Sequence, residues 1–298
     1  MMTAPNQPVL RGELRFDESL KRYNSWRVGG PARQLYLPAN SDDLAAFLRT
    51  LPSDEPLLWL GLGSNLLIRD GGFRGTVIAL QGRLNEIQIN GSEVEVDAGV
   101  PCAKVARECA RAGLTGAAFL AGIPGTMGGA LAMNAGAFGG ETWSVVRTVA
   151  TIDRLGVIRR REPSEYRINY REVSRPGEEW FLSSALGLAP GDADAEQLAI
   201  RRLLERRAAT QPTGQPSCGS TFRNPPSDYA ARLIEASGLK GYRIGGAEVS
   251  TKHANFIINT GDASAADIEQ LIAYVQAEVA RRQGVNLQAE VHMVGEPR

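Results

Sequence analysis

The sequence predicts an α+β chain built from more than one domain, and three observations carry that reading. Segments with helical spacing of apolar residues are interleaved with short apolar or alternating runs along all 298 residues. A tract of linker composition, Thr210-Gln211-Pro212-Thr213-Gly214-Gln215-Pro216, sets the C-terminal region apart. Between these lies Ala121–Gly136, Ala-Gly-Ile-Pro-Gly-Thr-Met-Gly-Gly-Ala-Leu-Ala-Met-Asn-Ala-Gly, in which glycine turns meet a small-residue run that can open a helix.

The elements follow in order. After a polar N-terminal arm, Gly29-Gly30-Pro31 predicts a turn and Leu35-Tyr36-Leu37-Pro38 a short strand closed by proline. Ser41-Asp42-Asp43 offers a cap for a helix carrying Leu44, Phe47 and Leu48. Leu57–Leu60 and Leu66–Ile68 read as buried strands on either side of Gly61-Leu62-Gly63-Ser64-Asn65. Residues 86–97 alternate around Asn90-Gly91, the signal of a hairpin with a type I′ turn. Pro101–Ala112 reads as a helix with Cys102, Val105 and Cys109 inward. Val146–Ile158 gives strands around an Arg154-Leu155-Gly156 turn, Trp180–Leu188 another strand, and Ala193–Ala208 a helix. Beyond the linker come a helix from Asp228 stopped by Gly238, a strand at Phe256–Asn259, and a helix capped within Asp262–Asp267. A strand closes the chain near Leu287–Val294.

Composition narrows the function. Lys+Arg and Asp+Glu balance at 33 each, so no electrostatic case exists for nucleic acid or an anionic membrane as partner. Met1–Leu10 lacks the pattern of a signal peptide, and the cytoplasm is the expected compartment. The three cysteines have neither disulfide nor zinc spacing, and with only His253 and His292 no metal site is expected. Arg159–Arg161 and the cluster Arg201, Arg202, Arg206 and Arg207 read as solvated faces.

The glycine stretch has the strongest chemistry. Glycine lets main-chain N–H groups approach a ligand with no Cβ in the way, and successive bare N–H groups form an anion cradle. Residues 112–140 carry no charge. A ligand with phosphates and a large apolar ring suits both properties. A membrane helix does not, because Pro124 and the glycines would break it. A purely structural turn is the plain alternative. The stretch matches neither the P-loop nor the dinucleotide fingerprint.

Five segments in order resemble one family: Asn24–Ala32, Leu60–Leu67, Ala121–Ala130, Gly219–Pro225 and Gly238–Ala247. The chain is similar to UDP-N-acetylenolpyruvoylglucosamine reductases, in their shorter, type II form. The resemblance implies a two-part FAD-binding domain of the vanillyl-alcohol-oxidase (PCMH) type plus a smaller α+β substrate-binding domain. The expected divisions are 1–82 and 83–209 for FAD and 210–298 for substrate, with the C-terminal strand returning towards the active site. It implies a monomer in which NADPH reduces FAD, and flavin N5 then delivers hydride to the vinyl carbon of UDP-N-acetylglucosamine enolpyruvate.

The family's residues transfer by motif. Ser220 matches the proton donor, Arg171 the arginine that meets the substrate carboxylate, and Glu290 the C-terminal glutamate that supports the enol form when protonated. Val173 stands where the family usually has serine, and Tyr166-Arg167 competes with Tyr170-Arg171; the distance to the strand at Trp180 favours Arg171. FAD contacts are implied for Trp26, Gly61, Leu62, Gly63, Ser64, Asn65, Leu66 and Leu67, for Ala121, Gly122, Ile123, Pro124, Gly125, Thr126, Gly128, Gly129 and Ala130, and for Asn134. Tyr170, Arg223, Asn224, Lys240, Arg243, His253 and Asn255 are candidates for substrate. Neither histidine falls in the expected FAD domains, so non-covalent FAD is expected. An FAD-linked sugar or alcohol oxidase of the same superfamily is the alternative.

Overall fold

The computed structural model describes residues 10–298; the signal-peptide reading of the N-terminus falls, but for Leu10, outside them. Three sheets follow one another along the chain. The first runs in the order Glu13–Ser19, Pro31–Leu37, Phe73–Ala79, Leu57–Leu60. Its first pair is antiparallel and the other two are parallel. The second, fully antiparallel, runs Ile158–Arg161, Val146–Asp153, Glu179–Gly187, Glu93–Asp97, Ile87–Asn90. The third is a small antiparallel sheet of Arg243–Ile244, Ala247–Val249 and Ile257–Asn259, packed by helix Ala265–Gln283.

Local sequence explains most elements. Helix Cys102–Arg111 buries Cys102, Val105, Ala106 and Cys109 at helical spacing against the second sheet, in the core beside it, the second core. Helix Ala265–Gln283 starts on Ser264 in a capping box with Asp267 and stops at left-handed Gly284. The helix Ser41–Leu48 is capped one residue earlier than expected, by Asn40, whose side chain accepts from the Asp43 N–H. The hairpin at 87–97 also differs. Asn90 pairs with Glu93, so Gly91-Ser92 makes the turn, and only Gly91 has positive φ. That sign pattern belongs to type II′, in which glycine leads.

The polar arm is in fact an edge strand, Glu13–Ser19, none of whose residues is buried: Leu14 and Phe16 are exposed along with Glu13 and Asp17. A second unexpected element is the hairpin Arg167–Asn169 and Glu172–Ser174, which turns on Tyr170-Arg171. Arg171 itself sits at φ 56, in the left-handed region.

The core beside the third sheet, the third core, also takes in residues from the N-terminal part of the chain. Trp26, Val28 and Leu67 are fully buried among Phe222, Ile234, Val249 and Leu271. The Trp26 indole donates to the Ile257 carbonyl (2.7 Å), and Asn259 Nδ2 donates back to the Trp26 carbonyl (2.9 Å). Asp70 caps the last helix from outside, accepting from the Ala265 and Ala266 N–H groups (3.1 and 2.9 Å). Arg69 forms a two-bond fork with Glu269 on the same helix. The chain end returns as well: His292–Val294 pairs in parallel with Leu66–Ile68. Among the described residues no helix is long and apolar enough to cross a membrane.

Candidate active site

A cavity of about 760 Å³ lies where the three parts meet. Both glycine loops form its floor. Gly61 is packed so closely on Thr126 that a Cβ there would strike the Thr126 hydroxyl, and a Cβ on Gly125 would meet Ser64 Oγ at 3.3 Å. The two loops therefore face each other. Among the described residues, the N–H groups of Gly63, Ser64, Asn65, Gly125 and Thr126 donate to no protein acceptor. Free N–H groups on opposed loops make a cradle for an anionic bridge such as a pyrophosphate.

One wall carries the titratable groups. Arg171, at the hairpin tip, donates through Nε to Glu290 Oε1 (3.1 Å) and through Nη1 and Nη2 to the carbonyls of Asn134 and Gly136 (3.2 and 2.9 Å). Glu290 is held by its backbone, with its N–H on the Thr221 carbonyl and its carbonyl accepting from Asn65 Nδ2. Burial pushes the Glu290 carboxyl above its ordinary value, and Arg171 and Arg223 partly oppose this. Ser220 lines the same cavity beside left-handed Gly219. Asn255 braces the adjoining turn: its amide donates to the Phe222 carbonyl (2.8 Å) and accepts from the Phe222 N–H (2.9 Å).

The structure brings Ser220, Arg171 and Glu290 to one cavity, together with Tyr170, Asn224 and Asn255. It also brings there Gly61, Leu62, Gly63, Ser64, Asn65 and Leu66 from the first loop, and Gly122–Thr126, Gly129 and Ala130 from the second. Arg167 is exposed and does not line the cavity, and Tyr166 is buried against Trp143.

Other candidates stand elsewhere. Trp26 and Leu67 belong to the third core, and Ala121 and Gly128 pack behind the loops, Gly128 against Ala98. Asn134 is a buried brace that bonds Glu141, Asn169 and Trp143 and offers its carbonyl to Arg171. Lys240 pairs with Glu235 and Arg243 with Glu248, both away from the cavity. His253 packs edge-on against Phe256, and Arg223 supports the hairpin by donating to the Arg171 carbonyl (3.3 Å).

Sequence reasoning missed part of the lining. Arg206, Arg207, Thr210 and Gln211, from the end of helix Ala193–Thr210 and just beyond it, face the cavity instead of serving only as a solvated surface. Their signal was the i, i+4 pair Arg207–Gln211 running into the linker. Cys218 and His292 also line it. His292 arrives by the C-terminal strand, so one histidine does reach the cavity despite its position in sequence. Cys102 and Cys109 are packed in the second core, where burial pushes their thiols up to about 12 and about 11.

The fold and the opposed loops define a flavoprotein: residues 32–161 match the FAD binding domain family, and the chain is an FAD-carrying oxidoreductase. Residues 211–294 match the C-terminal domain of UDP-N-acetylenolpyruvoylglucosamine reductase. The reductase of that name from Alkalilimnicola ehrlichii is 62% identical over 99% of each chain, and that from Methylococcus capsulatus is 60% identical over 96% of this chain and 94% of its own. The crystal structure of the Thermus caldophilus enzyme superposes with a TM-score of 0.82 at 32% identity, covering 95% of this chain and 99% of that one. The chain belongs to the UDP-N-acetylenolpyruvoylglucosamine reductase family.

Proposed function

We propose that the chain reduces UDP-N-acetylglucosamine enolpyruvate to UDP-N-acetylmuramate, a peptidoglycan precursor, with NADPH as electron source. The observation that carries this is the meeting of Arg171, Glu290 and Ser220 in the cavity whose floor is the two-loop cradle. The free N–H groups of Gly63–Asn65 and of Gly125–Thr126 fit the FAD pyrophosphate, and the charge-free flank fits an apolar ring. Bound FAD supplies the hydride for the vinyl carbon.

The chain's own groups handle the charge that results. Adding hydride to the vinyl carbon leaves negative charge on its neighbour, delocalised into the carboxylate. Arg171 holds that carboxylate with the planar, positively charged fork of its guanidinium. Glu290, its carboxyl raised by burial, can carry a proton and donate a hydrogen bond to the enolic oxygen. Ser220 protonates the carbon; a hydroxyl is a weak acid, but a carbanion-like centre is a strong base. Arg206 and Arg207 place positive charge at the cavity edge for a diphosphate.

The test separates the half-reactions. NADPH oxidation beyond a single turnover should require the enolpyruvyl UDP-sugar, and Ser220→Ala should leave flavin reduction by NADPH intact while its reoxidation by substrate collapses. An unchanged overall rate in that variant would defeat the proton-donor assignment. Rapid reoxidation by oxygen with an alcohol substrate would favour an oxidase instead.

A further inference from the structure

A second cavity, about 290 Å³, opens beside the first. Every part of the chain contributes to it: Ser25 and Arg27 from the first, Arg207 from the second, and the linker 211–217 from the start of the third. Pro124, Arg207, Gln211, Gly219 and Phe256 line both cavities, so the two share a wall.

Its charge is one-sided. Two arginines line it and no carboxylate does. Among the described residues, neither Arg27 nor Arg207 has a carboxylate oxygen within 4.0 Å. Arg207 donates from Nε to Gln211 (3.1 Å), and burial alone depresses its pKa, with no compensating anion nearby. Arg27 is fixed by its backbone at φ 61, a conformation that L residues rarely adopt. Its N–H donates to the Asn24 carbonyl, and its neighbour Trp26 is locked to Ile257 and Asn259. Unpaired guanidinium groups held on rigid backbone around a small cavity are a donor set for phosphate oxygens.

We propose that this junction pocket receives a phosphate group of a nucleotide whose reacting part lies in the main cavity. Its size accommodates a phosphate with part of its sugar. The proposal rests on the reading that NADPH and a UDP-sugar both visit the site. Either source supplies the same chemistry: the 2′-phosphate of NADPH or the diphosphate of the UDP-sugar. A ligand phosphate there would touch all three parts of the chain at once.

The test uses the FAD-loaded enzyme, with adenosine 2′,5′-bisphosphate and UDP as probes titrated by the flavin absorbance change and by calorimetry. Arg27→Gly removes the charge while suiting the left-handed backbone, so folding is spared; Arg27→Lys keeps charge without the fork. Arg27→Gly should weaken one probe about tenfold or more, with Arg27→Lys intermediate. Loss confined to the bisphosphate, together with a raised KM for NADPH but not NADH, assigns the pocket to the dinucleotide; loss confined to UDP assigns it to the sugar nucleotide. Wild-type affinity for both probes in Arg27→Gly overturns the proposal. A wild-type enzyme that binds neither probe overturns the functional reading itself, and this proposal with it.

Discussion

Arg171 Nε stands 3.1 Å from Glu290 Oε1, which joins a hairpin tip in the middle of the chain to the stretch just before its last strand, 119 residues on. The guanidinium is oriented by two backbone carbonyls as well, so only part of its donor set depends on Glu290. The arrangement presents a fixed cation to the cavity from a left-handed turn position that arginine seldom occupies.

Arg171→Ala should therefore impair one half-reaction. Stopped-flow mixing with NADPH should show flavin reduction near the wild-type rate, and mixing of reduced enzyme with substrate should show reoxidation slowed about 10²–10³-fold. Arg167→Ala, exposed on the same hairpin, should leave both phases within about twofold of wild type. Equal impairment by the two variants would remove Arg171 from its assigned role.

Trp26 is buried against the C-terminal part of the chain, bonded to Ile257 and Asn259, and its expected role is to hold the N-terminal and C-terminal parts together. Trp26→Phe keeps most of the buried ring but leaves the Ile257 carbonyl without its indole donor. The expected loss is about 1–3 kcal/mol of stability, read as a lower urea midpoint for the apo and FAD-loaded enzyme alike. If the loss vanished on adding excess FAD and appeared instead as weaker FAD affinity, the residue would belong to the cofactor site after all.

The sequence made some of this plain and left some hidden, for physical reasons. Gly61–Asn65 and Gly122–Gly129 were legible because close backbone approach demands glycine, and such positions tolerate few substitutes. Helix Ala265–Gln283 was legible from its capping residues and apolar period. The edge strand Glu13–Ser19 was not, because none of its residues is buried and its sequence is mostly charged, so no core-facing stripe marks it. Trp26 and Leu67 sit in or beside the glycine-loop motifs, yet their side chains are buried in the core of the C-terminal part of the chain, and local sequence does not encode which neighbour a side chain meets. Arg207 looked like surface because its burial comes from the folding back of the linker over the helix end.

The opposed loops make a steric prediction. Gly61→Ala puts a Cβ into the Thr126 hydroxyl, so one loop must move and the cradle widens. The purified variant should carry less FAD, with at least tenfold weaker affinity, measured from the ratio of flavin to protein absorbance and by titrating FAD into apoprotein. Gly125→Ala, whose Cβ would meet only Ser64 Oγ at 3.3 Å, should be milder. Acid precipitation should release the flavin from wild type into the supernatant, since non-covalent attachment is proposed. Yellow pellets would instead direct attention to His292 or Cys218, which line the cavity.

Glu290 gives a pH dependence whose sign is fixed. Its carboxyl is raised above the ordinary 4.5 by burial, so between 4.5 and the raised value the folded chain holds a proton that the unfolded chain has released. Stability then falls as pH rises through that interval. The contribution is complete below 4.5 and lost above the folded pKa. Glu290→Gln lacks the titration, so the difference in Tm, wild type minus variant, should decline with rising pH across the window and be flat on either side. In Arg171→Ala the largest opposing charge is gone, burial acts with only Arg223 against it, and the decline should move to higher pH. A difference curve that rose with pH would mean that the carboxyl is held below its ordinary value, as in a dominant ion pair, and Glu290 could not then donate a proton to the enolic oxygen.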